Sequence, residues 1–512
     1  MKNDSVNATI ENDRAEHTMA DKHHLAERES VAEGVHVDAP SHPPKSFSML
    51  SAAGLGYSIT NSPTAIFLVI GANTPFGGSP LFFYGYLGMF LVGLAAACSL
   101  GELASAMPHP GGQYYWVSQL APEKWRRFLA YMTAILSWAS VICVGASSLL
   151  AASNLFFEMY SFYHPDFVYH PWMGFLFYQV ANLFTAMGNL SEKALPKMGF
   201  IFMMYSIAFS FVIFVGLLAP DVPKVSAHEF FTNYWNASGW SDGVAFFIGI
   251  SGCNWAFSCL DAVTHLAEEL PNPERNLPKA LFVTVGVGFG AGMAVIIAVF
   301  IAATDLRSVT TILEVIYSVY GNYNATIGFG VLVFLSPLTA MVGIQTWQAR
   351  IAWSLARDKG FPFHKHLSKV APKPFQTPLW AHAWSLLWTA LCGFVYLGSQ
   401  AAFNSFVAGG ILLQYITYCI PLIFMLWKGR SNFANGPFWH PTWGLISNIV
   451  VLSWSAICLI FYSFPYYLPV VADQMNYVSC VIVFIILYAL TYWGFIGYKH
   501  FDFTEHSITQ RF

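Results

Sequence analysis

The chain has 512 residues, of which 56% are apolar, 17% aromatic and only 10% charged, and its formal net charge is −3 at pH 7. Ordinary soluble domains carry about 25% charged residues, so this composition indicates a polytopic membrane protein. The sequence contains no basic stripe, zinc-ligand cluster or phosphate-binding loop, which argues against nucleic-acid binding, and we expect no cofactor and no metal ion.

The chain begins with a polar segment, residues 1–45, that is rich in Glu, Asp, His and Ser and lacks the apolar stretch of a signal peptide. We expect this segment to be a disordered cytosolic tail. A transmembrane domain is predicted over 46–500, followed by a short cytosolic tail over 501–512. A helix needs about 20 apolar residues to cross a bilayer, and twelve runs qualify: roughly 47–70, 80–101, 128–153, 172–190, 198–219, 243–264, 280–303, 326–349, 380–397, 403–427, 443–464 and 477–498.

An even number of spans places both termini on the same side of the membrane. One set of alternating loops carries most of the Lys and Arg residues, whereas the other set carries only Lys224 and Arg307. Because short cytoplasmic loops collect positive charge, both termini are predicted to be cytosolic. Asn236 and Asn324 begin acceptor sequons in the predicted outside loops, so they are candidate glycosylation sites. All eight cysteines fall inside apolar runs, and we expect free thiols.

Two predicted spans contain residues that interrupt a helix. The first span holds Thr60, Asn61 and Ser62 directly before a proline, which lacks an amide hydrogen and disrupts the preceding turn. The sixth span holds Ser-Gly-Cys-Asn at 251–254. Irregular backbone survives at membrane depth only where protein or a water-filled cavity satisfies it, so both stretches predict a binding site, although small residues also simply allow close helix packing. Because the two spans are five apart, they predict two inverted five-helix repeats.

Asp261 is the only acidic or basic residue placed well inside a predicted span, because Glu102 and Arg350 fall at predicted helix ends. A carboxylate at such a depth costs about 2.5–3.5 kcal/mol on insertion scales, so a compensating partner is expected. His265 lies four residues further along, on the same helical face. An Asp/His pair can relay a proton. Alternatively, a neutral or water-bridged Asp261 ties the sixth span to a neighbouring helix.

Trp255 and Phe257 follow the interruption of the sixth span directly. An aromatic face beside a cavity holds an ammonium group by cation–π attraction worth about 0.5–2 kcal/mol, or closes the cavity as a gate. In so aromatic a chain a single ring more often faces lipid or the core. Trp255 is therefore a candidate binding or gating residue because of its position directly after the interruption.

Several motifs carry a family resemblance, and each falls in a predicted cytosolic loop or at its edge. They are GELASAMPHPGGQYYW (101–116), WAFSCLDAVTHLAEELPNPERNLPKAL (255–281), TWQARIAWSLARDKGFPF (346–363) with TPLWAHAW (377–384), and GPFW (436–439). With the span pattern, the chain resembles the fungal amino acid/choline transporter family of the amino acid/polyamine/organocation superfamily. It is most similar to choline permease-like members, although the Ala-Phe-Ser at 256–258 departs from them.

The resemblance implies a LeuT-type fold of ten core helices plus two, with a solute site between spans one, three, six and eight. It maps the unwound segment of span one onto 60–63, the gating aromatic of span six onto Trp255, and the acidic position of that span onto Asp261. It also implies that Glu102 joins a cytosolic ion-pair gate with Arg350 or Arg357, the alternative being simply solvated charges.

The predicted function is a secondary active transporter that imports a small amine-bearing solute, choline or an amino acid, across the plasma membrane by alternating access. Proton coupling is left open. The alternatives are a nutrient sensor or receptor with the same fold and a permease specific for 4-aminobutyrate or polyamines. A membrane-embedded enzyme would need a catalytic constellation that only Asp261 and His265 could begin to supply. The predicted substrate-binding residues are Thr60, Asn61, Ser62, Asn254, Trp255, Phe257 and Ser258. The predicted coupling or gating residues are Asp261, His265, Glu102 and Arg350.

Overall fold

The computed structural model describes residues 45–304, 311–433, 435–472 and 475–502. Within these ranges the chain is helical, and the β pairing is limited to an isolated antiparallel bridge between Phe76 and Asn236. The predicted tails lie outside the described residues except for positions 45, 501 and 502, and Arg307 also lies outside them.

Eighteen α-helices make up the described chain. They are α1 (Met49–Thr60), α2 (Ser62–Asn73), α3 (Gly78–Ala106), α4 (Gln113–Leu120), α5 (Glu123–Tyr163), α6 (Pro171–Ala186), α7 (Leu195–Leu218), α8 (Ala227–Thr232), α9 (Asp242–Trp255), α10 (Pro273–Ala302), α11 (Ile312–Tyr320), α12 (Tyr323–Arg357), α13 (His364–Leu367), α14 (Leu379–Gly398), α15 (Gln400–Lys428), α16 (Pro441–Phe461), α17 (Val478–Tyr492) and α18 (Tyr498–His500). The shorter turns are the 3-10 helices Met187–Asn189, Leu260–Leu266 and Arg430–Asn432 and the π-helix Trp493–Gly497.

Nine helical segments of the described chain are long and apolar enough to cross a membrane. They are Gly78–Ala106, Glu123–Tyr163, Leu195–Leu218, Asp242–Leu266, Pro273–Ala302, Tyr323–Arg357, Ala408–Lys428, Pro441–Phe461 and Val478–His500. Each coincides with a predicted span, and the other three predicted spans contain α1 with α2, α6 and α14. The predicted all-helical, multi-pass membrane class is therefore confirmed.

Several helices extend well beyond the predicted spans. Helix α3 continues to Ala106, and α12 continues to Arg357, so Glu102 and Arg350 lie within helices and not at their ends. Both side chains are buried, with exposed fractions of 0% and 1%. Asp261 is thus not the only buried charged side chain of the helical bundle. Composition predicts the apolar stretch of each helix, but not the further helical turns that carry charged residues.

The two short helices of the first span lie at the centre of the packing. Helix α1 packs against α7 and α10, and α2 packs against α9 and α10. Gly54 of α1 approaches α7 so closely that a Cβ at this position would lie 2.9 Å from the carbonyl oxygen of Gly199. At Gly54, close helix packing explains the glycine. Helix α5 packs against α12 and α15 on the other side of the breaks.

Candidate functional site

The first helix break lies at Asn61, between α1 and α2. Asn61 has the left-handed conformation (φ 42°, ψ 51°), which asparagine adopts more readily than most residues other than glycine. Its backbone N–H donates to the carbonyl oxygen of Tyr57 at 2.7 Å, which closes α1. Pro63 lies in the first turn of α2, where its missing N–H is not needed. The helix is thus interrupted where the sequence predicts.

Side chains from two other helices hold Asn61 in this conformation. Its amide nitrogen donates to the Ser336 hydroxyl at 2.7 Å, and its side-chain oxygen accepts from the Ser206 hydroxyl at 3.0 Å. Thr64 donates to the same Ser336 hydroxyl at 2.7 Å. Since Asn61 is only 4% exposed, these bonds satisfy polar atoms that bulk water does not reach. Residues of α7 and α12 therefore help to define the break.

The second break begins after Trp255 and not within 251–254, so the prediction for the sixth span is wrong by a few residues. Helix α9 runs through Trp255, and the chain enters the 3-10 helix Leu260–Leu266 after Cys259, which is left-handed (φ 69°). The N–H of Cys259 donates to the side-chain oxygen of Gln414 at 2.9 Å. A residue from α15 thus supports this second irregular backbone.

The side chain of Asn254 explains why the polar stretch 251–254 stays helical. Its amide nitrogen donates to the Tyr462 hydroxyl at 2.9 Å, and its oxygen accepts from the Tyr415 hydroxyl at 2.8 Å. Because both partners belong to other segments, Asn254 does not compete with the hydrogen bonds of its own helix. Asn254 therefore forms hydrogen bonds to other segments without interrupting α9.

A direct hydrogen bond joins the two breaks. The Ser62 hydroxyl donates to the carbonyl oxygen of Ala256 at 2.6 Å, and both residues are fully buried. The carbonyl of Ala256 is one of the groups that the end of α9 leaves without a helical partner. The first break therefore supplies a hydrogen-bond donor to the second.

Two cavities adjoin these breaks. The large cavity, of about 540 Å³, lies between α2, α5, α9 and α15, and its lining includes Glu158, Ser251 and Tyr462. This volume falls within the range of about 300–1,000 Å³ that is usual for small-molecule sites. The small cavity, of about 30 Å³, has room for little more than water.

Trp255 lies between the two cavities and lines both of them, together with Leu68 and Ala151. Thr60, Asn61 and Ser258 also line the small cavity, so the structure brings these predicted residues together. The wall that the two cavities share is therefore formed by apolar side chains, of which Trp255 is the largest.

The remaining predicted substrate-binding residues have other surroundings. Ser62 and Asn254 make the inter-helix hydrogen bonds described above and are not among the described lining residues of either cavity. The ring of Phe257 packs against Tyr86 and Phe90, with centroids 4.8 and 6.4 Å away. Phe257 likewise contributes to neither described lining.

Asp261 is buried and accepts hydrogen bonds from two neighbouring elements. The donors are the Gln113 side chain of α4 at 2.6 Å, the Gln414 side chain of α15 at 2.9 Å and the Tyr418 hydroxyl of α15 at 2.5 Å. These bonds replace the water that the carboxylate loses on burial. They also tie the inner part of the sixth span to α4 and α15.

His265 faces the same carboxylate. Its Nε2 lies 3.7 Å from Asp261 Oδ2, and its Nδ1 lies 2.6 Å from the carbonyl oxygen of Pro110. Because a carbonyl only accepts, Nδ1 carries a hydrogen. Nε2 has no hydrogen-bond partner among the described residues. Nε2 therefore faces the Asp261 carboxylate at a distance just beyond that of a direct hydrogen bond.

The ion pairs differ from those implied by the family resemblance. Glu102 pairs with Arg430 at 2.9 Å and accepts from the backbone N–H of His440 at 3.0 Å, so its expected pairing with Arg350 or Arg357 is wrong. The reason is that α3 packs against α16, which places Glu102 beside the segment preceding that helix.

Arg350 instead binds two other carboxylates. It lies 2.8 Å from Glu269 and 2.6 Å from Glu192, and all three side chains are buried. The network joins α12 to the segments that follow the sixth span and precede α7. Arg357, at the end of α12, pairs with the more exposed Glu268 at 3.0 Å.

Some residues of the site escaped the sequence analysis. Glu158 lines the large cavity, but the third span was predicted to end at 153, whereas α5 continues to Tyr163. Gln113, Gln414 and Tyr418 surround Asp261, yet no local pattern links them to it. A search for polar residues one or two turns beyond each predicted span would have found Glu158.

The candidate glycosylation residues are accessible to different extents. Asn324 is exposed, whereas the Asn236 amide nitrogen donates to the carbonyl oxygen of Trp240 at 2.8 Å and to Asp242 at 2.9 Å. All eight cysteines are free thiols, and most of them are buried.

Comparison with known proteins identifies the family of the chain. Residues 47–487 match the family model described as amino acid permease. A transmembrane transporter of Metarhizium robertsii is 45% identical over 468 residues, covering 91% of this chain and 94% of the relative. A swainsonine transporter of Arthroderma benhamiae is 45% identical, covering 90% and 93% of the two chains. A choline transporter of Saccharomyces cerevisiae is 37% identical, covering 92% and 85%.

The match to the family model covers most of the chain, and the relatives align over nearly their whole length. All of these relatives are named as transporters. The chain therefore belongs to the amino acid permease family of the amino acid/polyamine/organocation superfamily and is a multi-pass membrane transporter.

Proposed function

We propose that the protein is a secondary active transporter that imports a small amine-bearing solute across the plasma membrane by alternating access. The observation that carries this proposal is the meeting of two broken helices, joined by the Ser62–Ala256 hydrogen bond, beside a cavity of about 540 Å³. Irregular backbone in a membrane protein is typical of solute sites in transporters.

The proposed architecture has twelve spans, with two inverted repeats of five helices and two further helices. Breaks in the first and sixth spans support it, because inverted repeats place discontinuous helices at matching points of the two halves. The distribution of Lys and Arg supports cytosolic termini. In this orientation Glu158 and the large cavity lie toward the outside, and Asp261 and Arg350 lie toward the cytosol.

The proposed transport cycle starts from the conformation seen in this structure. Solute enters the large cavity and reaches the breaks when Trp255 moves, contacting Thr60, Asn61 and Ser258. The route to the cytosol is closed by the hydrogen bonds of Asp261 and the ion pairs of Arg350. Release requires these contacts to separate as the helix groups rock against each other.

The remaining predicted residues take supporting roles in this proposal. The backbone at the breaks is held in place by contacts of Ser62, Asn254 and Phe257 with neighbouring segments. Glu102 stabilises the cytosolic face through its ion pair with Arg430. The Asp261–His265 pair is the proposed site of proton coupling, because a buried carboxylate and a buried imidazole face each other there. Asn236 and Asn324 stay candidate glycosylation sites on the outside.

Choline or an amino acid is the proposed solute. The relatives named for choline and swainsonine support a small organic solute. A cationic solute would gain inward drive of about 2.3 kcal/mol per charge per 100 mV from a negative cell interior.

The test is flux into liposomes that contain the purified full-length protein, with a membrane potential or a pH gradient imposed. We expect uptake of at least one of choline, ethanolamine, 4-aminobutyrate, a polyamine, swainsonine or a standard amino acid, with accumulation against its gradient. Competition among the same solutes ranks their affinities. Binding without accumulation under every gradient would favour the alternative, a transporter-like nutrient sensor.

A further inference from the structure

The described lining of the large cavity contains an acidic side chain but no basic one. Glu158 carries the only carboxyl group among its described lining residues, which include no Lys, Arg, His or Asp. Glu158 is partly buried near the end of α5, beside Thr311. Glu314 adds a second carboxyl group nearby, and its side chain accepts from the backbone N–H of Thr311 at 3.2 Å. The described part of this wall therefore offers carboxyl groups, and no basic side chain lines it.

Aromatic rings form much of the remaining lining. They are Phe67, Phe76, Trp255, Tyr462, Tyr466 and Tyr467. Some of them hold one another in place: the Phe76 ring lies 5.3 Å from Tyr467 and 6.5 Å from Tyr466. The Tyr462 hydroxyl is also fixed by the Asn254 side chain at 2.9 Å. Ring faces attract cations, and the attraction is greatest for cations that have lost water.

We propose that the large cavity is a cation-selective recognition site, in which Glu158 and the surrounding rings bind an organic ammonium group before it passes Trp255. This inference rests on the proposed transport function and specifies its substrate class. A choline-like cation is attracted by both the carboxylate and the rings. A zwitterionic amino acid brings a carboxylate of its own, which Glu158 repels.

The selectivity follows from the position of Glu158 and not from the overall charge of the protein. A cleft lined by one sign of charge raises the association rate of an opposite charge by about 10- to 1,000-fold. Asn154 lies one helical turn before Glu158 and lines the same cavity. A reactive group placed at residue 154 therefore reports the potential that an incoming solute meets.

The test measures this potential without requiring transport. Asn154→Cys is introduced into full-length protein in which Cys480, the exposed native thiol, is changed to Ser. The purified protein reacts with two methanethiosulfonate reagents of similar size, one bearing trimethylammonium and the other sulfonate. We expect the ratio of cationic to anionic labelling rates to fall at least about tenfold in Glu158→Gln. Glu158→Asp, which keeps the charge, should retain most of the ratio.

Asp166→Asn is the matched control, because Asp166 is exposed in the segment after α5 and is not a described lining residue. It should leave the ratio unchanged. An equal fall in this control, an unchanged ratio in Glu158→Gln, or an introduced thiol that neither reagent reaches would each overturn the proposal.

A second measurement keeps Glu158 intact and so does not depend on the folding of its variants. Choline should protect the introduced thiol at position 154 from labelling at concentrations where its uncharged isostere, 3,3-dimethyl-1-butanol, does not. Equal protection by the two, or protection by neither, would contradict cation recognition here. Neither result bears on whether liposomes containing the protein accumulate solute, so the transport proposal can fail or stand separately.

Discussion

The Ser62 hydroxyl donates a hydrogen bond of 2.6 Å to the carbonyl oxygen of Ala256. These residues are 194 positions apart, and each lies at the interruption of a membrane-spanning segment. One bond therefore couples the geometry of the two breaks, so that movement of the sixth span must either carry the first span along or break this contact.

Ser62→Ala tests this coupling. The variant leaves the buried Ala256 carbonyl without its donor, which costs about 1–3 kcal/mol. We expect the transport rate to fall by a larger factor than the surface abundance, measured by uptake and surface biotinylation in the same cells. Ser58→Ala is the control, because the Ser58 hydroxyl bonds only within α1, to the carbonyl oxygen of Leu55 at 2.8 Å. Wild-type transport by Ser62→Ala would show that the bond is dispensable.

Asp261→Asn should lower transport more than it lowers abundance. The native carboxylate accepts hydrogen bonds from Gln113, Gln414 and Tyr418. An asparagine at 261 would turn its own N–H group toward Gln113, or toward Gln414 and Tyr418, so that a donor faces a donor. The rearrangement also removes the charge that faces His265. Initial uptake rates should be compared across pH with those of the exposed-site variant Asp166→Asn. Unchanged rates with an unchanged pH dependence would remove Asp261 from the mechanism.

Trp255→Ala should weaken the apparent affinity for a cationic solute. Loss of a cation–π contact worth about 0.5–2 kcal/mol corresponds to roughly a two- to thirtyfold increase in Kd. Trp255→Phe keeps a ring between the two cavities and should fall between the alanine variant and the wild type. The measurement is equilibrium binding to purified protein. Wild-type affinity in Trp255→Ala would place the solute site elsewhere.

Arg350→Met should destabilise the protein strongly. Removing one partner of a buried charge pair typically costs about 3–5 kcal/mol, and here Glu269 would stay buried without its cation. Arg357→Met is the matched control, since its pair with Glu268 is partly exposed and such pairs contribute about 0–1 kcal/mol. Thermal unfolding of the purified variants measures the difference. Equal losses in the two variants would contradict the buried network.

The same network predicts a pH dependence of stability. Burial raises the pKa of Glu192 to about 8, while Arg350 opposes the shift and Glu269 adds to it. The folded state then binds a proton more strongly than the unfolded state, in which a glutamate has a pKa of about 4.3. The contribution of this group to stability is therefore present at low pH and is lost as the pH rises toward 8.

Glu192→Gln should flatten this dependence, because glutamine does not titrate. The melting temperature of the wild type, followed from about pH 5 to 8, should contain a downward component that the variant lacks. An identical slope in both proteins would mean that Glu192 keeps an ordinary pKa.

Much of the membrane body was predictable because its causes are local. An apolar stretch of sufficient length predicts a membrane helix wherever it occurs, and nine such helices of the described chain lie at predicted positions. Asn61 followed closely by Pro63 marks the first break for equally local reasons, namely tolerance of the left-handed conformation and a missing amide hydrogen. The family motifs also needed only contiguous residues, and the family they indicate is confirmed.

Only the tertiary structure decided which polar groups meet. The second break lies after Trp255 because Asn254 binds Tyr415 and Tyr462 while Gln414 holds Cys259, and none of these partners is adjacent in sequence. The choice of Arg430 as the partner of Glu102, and the cavity beside Glu158, likewise follow from helix packing. Composition and spacing constrain what one segment can form, whereas a hydrogen bond or ion pair requires two distant segments to come within about 3 Å. That distance is set by the packing of the whole bundle.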